Sequence, residues 1–242
     1  MKSVSMYLFG SWAWLVFTVI LLIMVCCFPF TRTAESTRTL GKRSASAMLK
    51  LMGIELNVEG SEHLVNGPSI LVANHASYTD PMILAAALPP KFGYVAKKEL
   101  KHIPFANYVL GKLGTHLVDR VNPKKGADDL NKIMKSNKAQ DSIVFFPEAT
   151  FLKEKGLLKF KKGAFITAIR NKSPVIPVTI NGSRELLRSE SWLPKKVSLH
   201  IKIHPPLNTS NEFTNPQELS DESRKMILGD LNEPDLNHRS FS

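Results

Sequence analysis

From Met6 to Phe30 the chain runs for 25 residues without a formal charge, including Trp14-Leu-Val-Phe-Thr-Val-Ile-Leu-Leu-Ile-Met-Val. An α-helix needs about 20 apolar residues to cross the hydrocarbon core of a bilayer, so this segment is long enough to do so. A cleaved signal peptide would instead show an apolar run of about 7–15 residues ending in a small-x-small site. Here Pro29-Phe30-Thr31-Arg32 follows, and Val25 before Cys26 does not suit a lipoprotein signal either. The segment is expected to be a membrane anchor, either crossing the bilayer or dipping into one leaflet as a hairpin around Gly10. Lys2 precedes it, whereas Arg32, Arg38, Lys42 and Arg43 follow it. Positive flanks stay on the cytoplasmic side, so the rest of the chain is expected there.

In Thr33–Met52, Leu40, Met48, Leu49 and Leu51 alternate with Arg38, Lys42, Arg43 and Lys50 as on an amphipathic helix that lies on or leads away from the membrane, a pattern that packing against the following domain would also give. Residues 1–52 thus form an N-terminal membrane-anchoring unit, and residues 53–242 a catalytic domain with a polar C-terminal tail. In that domain strand and helix signals alternate. Strands are expected at Ile54–Val58, Ser69–Ala73, Phe92–Ala96, Ser142–Phe146, Val175–Ile180 and Val197–Ile203. Helices are expected at Pro81–Leu88, Pro104–Leu113, Lys124–Lys138, Gly163–Arg170 and Gln217–Leu231. This order indicates an α/β fold, a layered sheet with flanking helices.

The formal net charge is +11, although residues 207–242 concentrate acids (Glu212, Glu218, Asp221, Glu222, Asp230, Glu233, Asp235). The body is therefore strongly basic, which suits membrane phospholipids and anionic ligands. No nucleic-acid partner is expected, because no recognition motif or interleaved aromatic platform accompanies the charge. Cys26 and Cys27 lie within the apolar run and read as small fillers. His200 and His204, four apart on an alternating segment, would share a strand face, but no third ligand accompanies them, so no metal site is expected. A Gly-x-Ser-x-Gly elbow is missing as well, which argues against a standard serine esterase.

The chemistry concentrates in Ile70-Leu-Val-Ala-Asn74-His75-Ala-Ser-Tyr-Thr-Asp80-Pro81. A buried strand ends, polar residues follow, and Pro81 fits the first position of a helix that Asp80 would cap. Strand ends in open α/β sheets are where ligands bind. Five positions apart, His75 and Asp80 would not share a helix face. A strand-to-helix turn folds the chain back and lets the carboxylate meet the imidazole. The carboxylate then fixes the tautomer, and the other ring nitrogen accepts a proton from an attacking hydroxyl.

Asn74-His75-x₄-Asp80-Pro81 after a hydrophobic strand resembles the first signature of the glycerolipid acyltransferases related to 1-acylglycerol-3-phosphate acyltransferase. Lys97-Lys98-Glu99-Leu100 with Pro104, Gly111, Gly114 and Val118-Asp119-Arg120 is similar to the second block. Phe145-Phe146-Pro147-Glu148-Ala149-Thr150 resembles the third, and Phe160–Phe165 with Val175-Ile-Pro177-Val follows in the family's order. The resemblance spans roughly residues 50–205. It implies transfer of a fatty acyl group from an acyl-CoA or acyl-carrier-protein thioester to a lysophospholipid hydroxyl, with no bound cofactor. It also implies His75 as general base and Asp80 as its orienting partner. Asn74, Lys97, Lys98, Arg120, Glu148, Thr150 and Pro177 would form the substrate sites. Lys97, Lys98 and Arg120 would face phosphate, Glu148 and Thr150 the glycerol, and Pro177 the donor side.

Two positions depart from that pattern. Ala149 stands where the third block has Gly, and Phe151 where it has Arg. The first disfavours a positive φ and the second removes a cation, which weakens the case for lysophosphatidic acid as acceptor. A hydrolase of the same fold and a lipid-binding module without catalysis are the alternatives. The bland reading of Glu148 is a strand-end carboxylate tying down a loop.

Overall fold

The computed structural model describes residues 2–118, 129, 142–188 and 190–237; Arg120 and, apart from residue 129, the expected helix Lys124–Lys138 lie outside the described residues. The chain opens with α1 (Lys2–Cys27), turns through one 3₁₀ turn at Phe28–Phe30, and returns antiparallel as α2 (Ala34–Leu51). Thr33 and Ser36 start α2 with a reciprocal capping box, each side chain accepting the other's backbone N–H at 3.1 Å. No hairpin forms around Gly10, because α1 runs unbroken through it. Gly10 is small for a different reason: a Cβ there would collide with the Leu193 side chain of the following domain.

At about 1.5 Å per residue α1 is roughly 39 Å long, with a mean hydropathy of 2.6 in its span-like part. It does not stand free of the domain. Ala13 and Val16 are buried, Trp14 Nε1 donates to Trp192 O at 2.6 Å, and Trp12 Nε1 donates to Leu51 O at 3.1 Å. The opposite face, marked by Val4, Leu8, Leu15, Val19 and Leu22, is exposed. Their spacing of three and four places them in one stripe.

The domain is a seven-stranded mixed sheet in the order β1-β7-β6-β2-β5-β3-β4. Its strands are β1 (Leu56–Glu59), β2 (Ile70–Ala73), β3 (Phe92–Lys97), β4 (His116–Val118), β5 (Ser142–Phe145), β6 (Val175–Asn181) and β7 (Leu199–Ile203). Strand β7 pairs antiparallel to β6, and every other pair is parallel. The helices are α3 (Asp80–Ala87), α4 (Pro104–Lys112), α5 (Gly163–Arg170), α6 (Ser183–Leu186) and α7 (Pro216–Asp230).

Ile70, Leu71, Val72 and Ala73 of central β2 are all fully buried, since both sheet faces are covered. Leu71 and Ala73 pack with Leu84 of α3 and Leu49 of α2 on one side. Ile70 and Val72 pack with Phe165 of α5 and Leu219 of α7 on the other. Pro177 is tolerated inside β6 because it precedes the register with β7, which starts at Val178↔Ile203, and its carbonyl accepts from His204 N at 2.9 Å. His200 and His204 do not share a face: His200 is exposed on β7, whereas the chain leaves the strand after Ile203 and buries His204 against Thr179 Oγ1 at 2.8 Å.

Candidate functional site

The site forms where β2 ends. Asn74 is buried, and its side chain accepts from Ile180 N at 2.7 Å and donates to Ile180 O at 2.9 Å. The amide prolongs the β2–β6 pairing by one residue and fixes the direction in which the chain leaves the sheet. His75 follows at once. Its Nδ1 lies 2.7 Å from Asp80 Oδ2, and the same oxygen accepts the backbone N–H groups of Ala76 at 2.7 Å and Ser77 at 2.9 Å. Asp80 is fully buried, and a carboxylate only accepts. The ring proton therefore sits on Nδ1, and Nε2 keeps its lone pair.

Asp80 does this from inside the helix. Thr79 occupies the N-cap position, and Asp80 opens α3 with Pro81 behind it. Its carboxylate closes the six-residue turn rather than capping the helix N–H groups ahead of it. This is how two residues five apart come into contact.

Glu148 braces the same loop from the β5 side. One oxygen accepts from His75 N at 2.6 Å and the other from Leu158 N at 2.8 Å. Burial pushes its carboxyl up to about 8, the two backbone N–H groups pull against that shift, and the negative neighbours Asp80 and Glu233 add to it. The imidazole is also held by aromatics. Phe146 stacks on it with centroids 4.4 Å apart, and Phe151 meets it edge-on at 4.7 Å. Tyr78 in turn meets Phe151 edge-on at 4.8 Å.

The His75 side chain, 13% exposed, lines an apolar cleft of about 630 Å³. Because Tyr94 of β3 registers with Val144 of β5, the cleft floor continues from Phe146 back along Ala96, Tyr94 and Phe92. Its far wall is α1 and α2, through Phe17, Ile20 and Met48. The N-terminal helices are thus part of the site as well as an anchor.

Of the residues singled out from the sequence, His75, Lys97 and Thr150 line this cleft, and Asp80 lies directly behind His75. Lys98 is exposed on the next turn, outside the lining. Asn74, Glu148 and Pro177, expected at the substrate sites, are all buried with backbone partners, and none is part of the cleft wall. Their work is to shape the loop and the strand behind the imidazole. The sequence reading assigned no site role to Phe146, Tyr78 or Phe151, although Tyr78 lies within the first signature, Phe146 within the third block, and Phe151 directly follows that block.

Ala149 carries a φ of 61°. The left-handed conformation costs a non-glycine residue about 1–2 kcal/mol, while glycine adds about 0.4–1 kcal/mol of unfolded-chain entropy. Ala149→Gly should therefore stabilise the protein by a net ~0.5–1 kcal/mol, seen as a higher melting temperature. A lower one would mean that the alanine methyl makes packing contacts worth more than the strain.

A central parallel strand delivers a carboxylate-held imidazole to an apolar cleft walled by an apolar and an amphipathic helix, which defines an α/β domain with a candidate acid–base site. The family model described as Acyltransferase matches residues 55–181, just over half of the chain, and the chain belongs to that family. It is 33% identical over 168 residues to a 1-acyl-sn-glycerol-3-phosphate acyltransferase of Saccharomyces cerevisiae, covering 68% of this chain and 55% of that protein. A protein of the same description from Limnanthes alba is 30% identical over 196 residues, covering 78% and 68%. A chloroplastic one from Arabidopsis thaliana is 27% identical over 200 residues, covering 80% and 56%. The chain therefore spans little more than half the length of the yeast and Arabidopsis relatives. The crystal structure of the PlsC 1-acyl-sn-glycerophosphate acyltransferase from Thermotoga maritima superposes with a TM-score of 0.78 at 22% identity, covering 94% of this chain and 95% of that one. That likeness establishes the fold.

Proposed function

We propose that the protein transfers a fatty acyl group from an acyl-CoA or acyl-carrier-protein thioester to the free hydroxyl of a lysophospholipid such as 1-acylglycerol-3-phosphate. The observation that carries this reading is the 2.7 Å contact between His75 Nδ1 and buried Asp80, with the rest of the ring lining an apolar cleft. Nε2 takes the proton of the acceptor hydroxyl as its oxygen attacks the thioester carbonyl. The tetrahedral intermediate collapses with cleavage of the carbon–sulfur bond, and the imidazolium returns the proton to the leaving thiolate. Asp80 stabilises that imidazolium, and stacking on Phe146 keeps the ring in place. Lys97 and Thr150 meet the polar end of the acceptor at the cleft wall, and exposed Lys98 adds positive charge beside it.

The exposed apolar stripe of α1, opposite the face that docks on the domain, favours a helix lying in one leaflet, and the basic residues after the apolar run favour the cytoplasmic side for the domain. Thiol release measured with one acyl donor and a panel of lysolipids, with and without phosphate, tests the reaction. Release that depends on acceptor is expected. Equal release without acceptor would make the protein a hydrolase, and no release with any donor would leave only lipid binding.

A further inference from the structure

We propose that the 3₁₀ turn Lys98–His102 and α4 form a second membrane-inserting limb, so that the cleft opens between two elements seated in the same leaflet. The inference rests on the membrane reading of α1 and extends it to a segment that carries no span-like sequence.

Ile103 and Phe105 are each 52% exposed, and Tyr108 follows Phe105 on the same face of α4. Clustered exposed apolar side chains of this size mark an interaction surface. The patch is also joined to the anchor. Tyr108 packs against Phe28 at the α1–α2 turn, with ring centroids 6.0 Å apart, and Lys112 Nζ donates to Phe28 O at 3.2 Å. Phe30, two residues on, is 85% exposed. The tip of the α1–α2 turn, which continues from α1, and the α4 ridge are therefore neighbours.

Charge selects the occupant. Lys97, Lys101 and His102 are exposed beside the ridge, with Glu99 as the acid among them, and the chain as a whole is +11. An apolar ridge with a basic margin is the pattern of a helix lying in the headgroup boundary of an anionic membrane. Both limbs also wall the cleft, α1 through Phe17, Leu21 and Met24 and the second limb through Leu100, Leu110 and Leu113. With both limbs in lipid, an acyl chain reaches the cleft sideways from the leaflet without crossing water.

The test uses the full chain with Cys26 and Cys27 replaced by Ala and one cysteine introduced at a time: L15C on α1, F105C on α4, and K225C at an exposed position of α7 as a control. Each protein carries an environment-sensitive fluorophore. The vesicles contain phosphatidylglycerol and phosphatidylethanolamine, with or without nitroxide-labelled acyl chains. Quenching at L15C and F105C but not at K225C supports the proposal. Quenching at L15C alone overturns it and leaves the α1 anchor intact. Absence of quenching at L15C removes the anchor reading and this proposal together. Concentration-dependent protection of F105C without vesicles would assign the ridge to a second copy of the chain, which also overturns it. As a functional readout, I103D/F105D should lower vesicle affinity by about tenfold or more while sparing turnover of water-soluble short-chain substrates.

Discussion

His75→Ala is expected to lose acceptor-dependent thiol release by about 10²–10⁴-fold, because among the described residues no other group lining the cleft replaces its Nε2 as proton acceptor. The variant should still fold. Removing the ring empties the space between Phe146 and Phe151, which costs roughly 2–5 kcal/mol, but Asp80 keeps the backbone N–H groups of Ala76 and Ser77. Asp80→Asn separates position from charge. An amide oxygen can occupy the place of Oδ2 and accept the same three hydrogens. The amide nitrogen then falls where Oδ1 now sits, buried without a partner among the described residues, at a cost of about 1–3 kcal/mol. Turnover should fall with little change in KM, since the imidazolium loses its counter-charge only as it forms. Melting curves, kcat and KM are needed for both variants. Folded His75→Ala with wild-type kcat would end the general-base mechanism.

The contrast between His75 and its neighbours shows what the sequence carries. The strand Ile70–Ala73 and the proline opening α3 were legible because a continuous apolar run and a helix-start signal are local. The contact between His75 and Asp80 was allowed by the strand-to-helix turn that Pro81 marks, and the resemblance made it specific, because five positions in a bare sequence fix no single turn geometry. Asn74 and Glu148 were expected at substrate, with loop-tying as the other reading of Glu148, and the structure places both against backbone groups. Asn74 bonds Ile180 and Glu148 bonds His75 and Leu158, so strand order decides their roles. Nothing near position 74 in the sequence announces that β6 will lie beside β2.

The same limit explains the N-terminus. A helix that is apolar all round shows length and hydropathy but no periodicity, so the face that docks on the domain was invisible. Gly10 read as a hinge because glycine loosens a helix; its cause is the Leu193 side chain, far along the chain. Ala149 went the other way. A family glycine replaced by alanine forecast strain at that position, and the φ of 61° bears it out.

Glu148 is the second site where a single change should have a large effect, this time on stability. Glu148→Ala strands two buried N–H groups, those of His75 and Leu158, at about 1–3 kcal/mol each, so a loss on the order of 2–6 kcal/mol is expected. Misplacement of His75 should lower turnover in whatever fraction remains folded. The wild-type carboxyl also gives a pH signature. Its folded value of about 8 lies above the ordinary 4.5, so between these limits the folded state binds the proton more tightly than the unfolded chain. Stability from this group is fully present below about pH 4.5, declines as pH rises through that window, and is flat above about 8. Glu148→Gln has no proton to lose. It can satisfy only one of the two N–H groups, so it should start less stable at pH 5, yet lose less on going to pH 8.5. The difference between the two proteins in urea midpoint or melting temperature across that range isolates Glu148 from every other titrating group. Parallel curves would show that Glu148 is ionised in the fold throughout, held by its two backbone hydrogen bonds against the cost of burial.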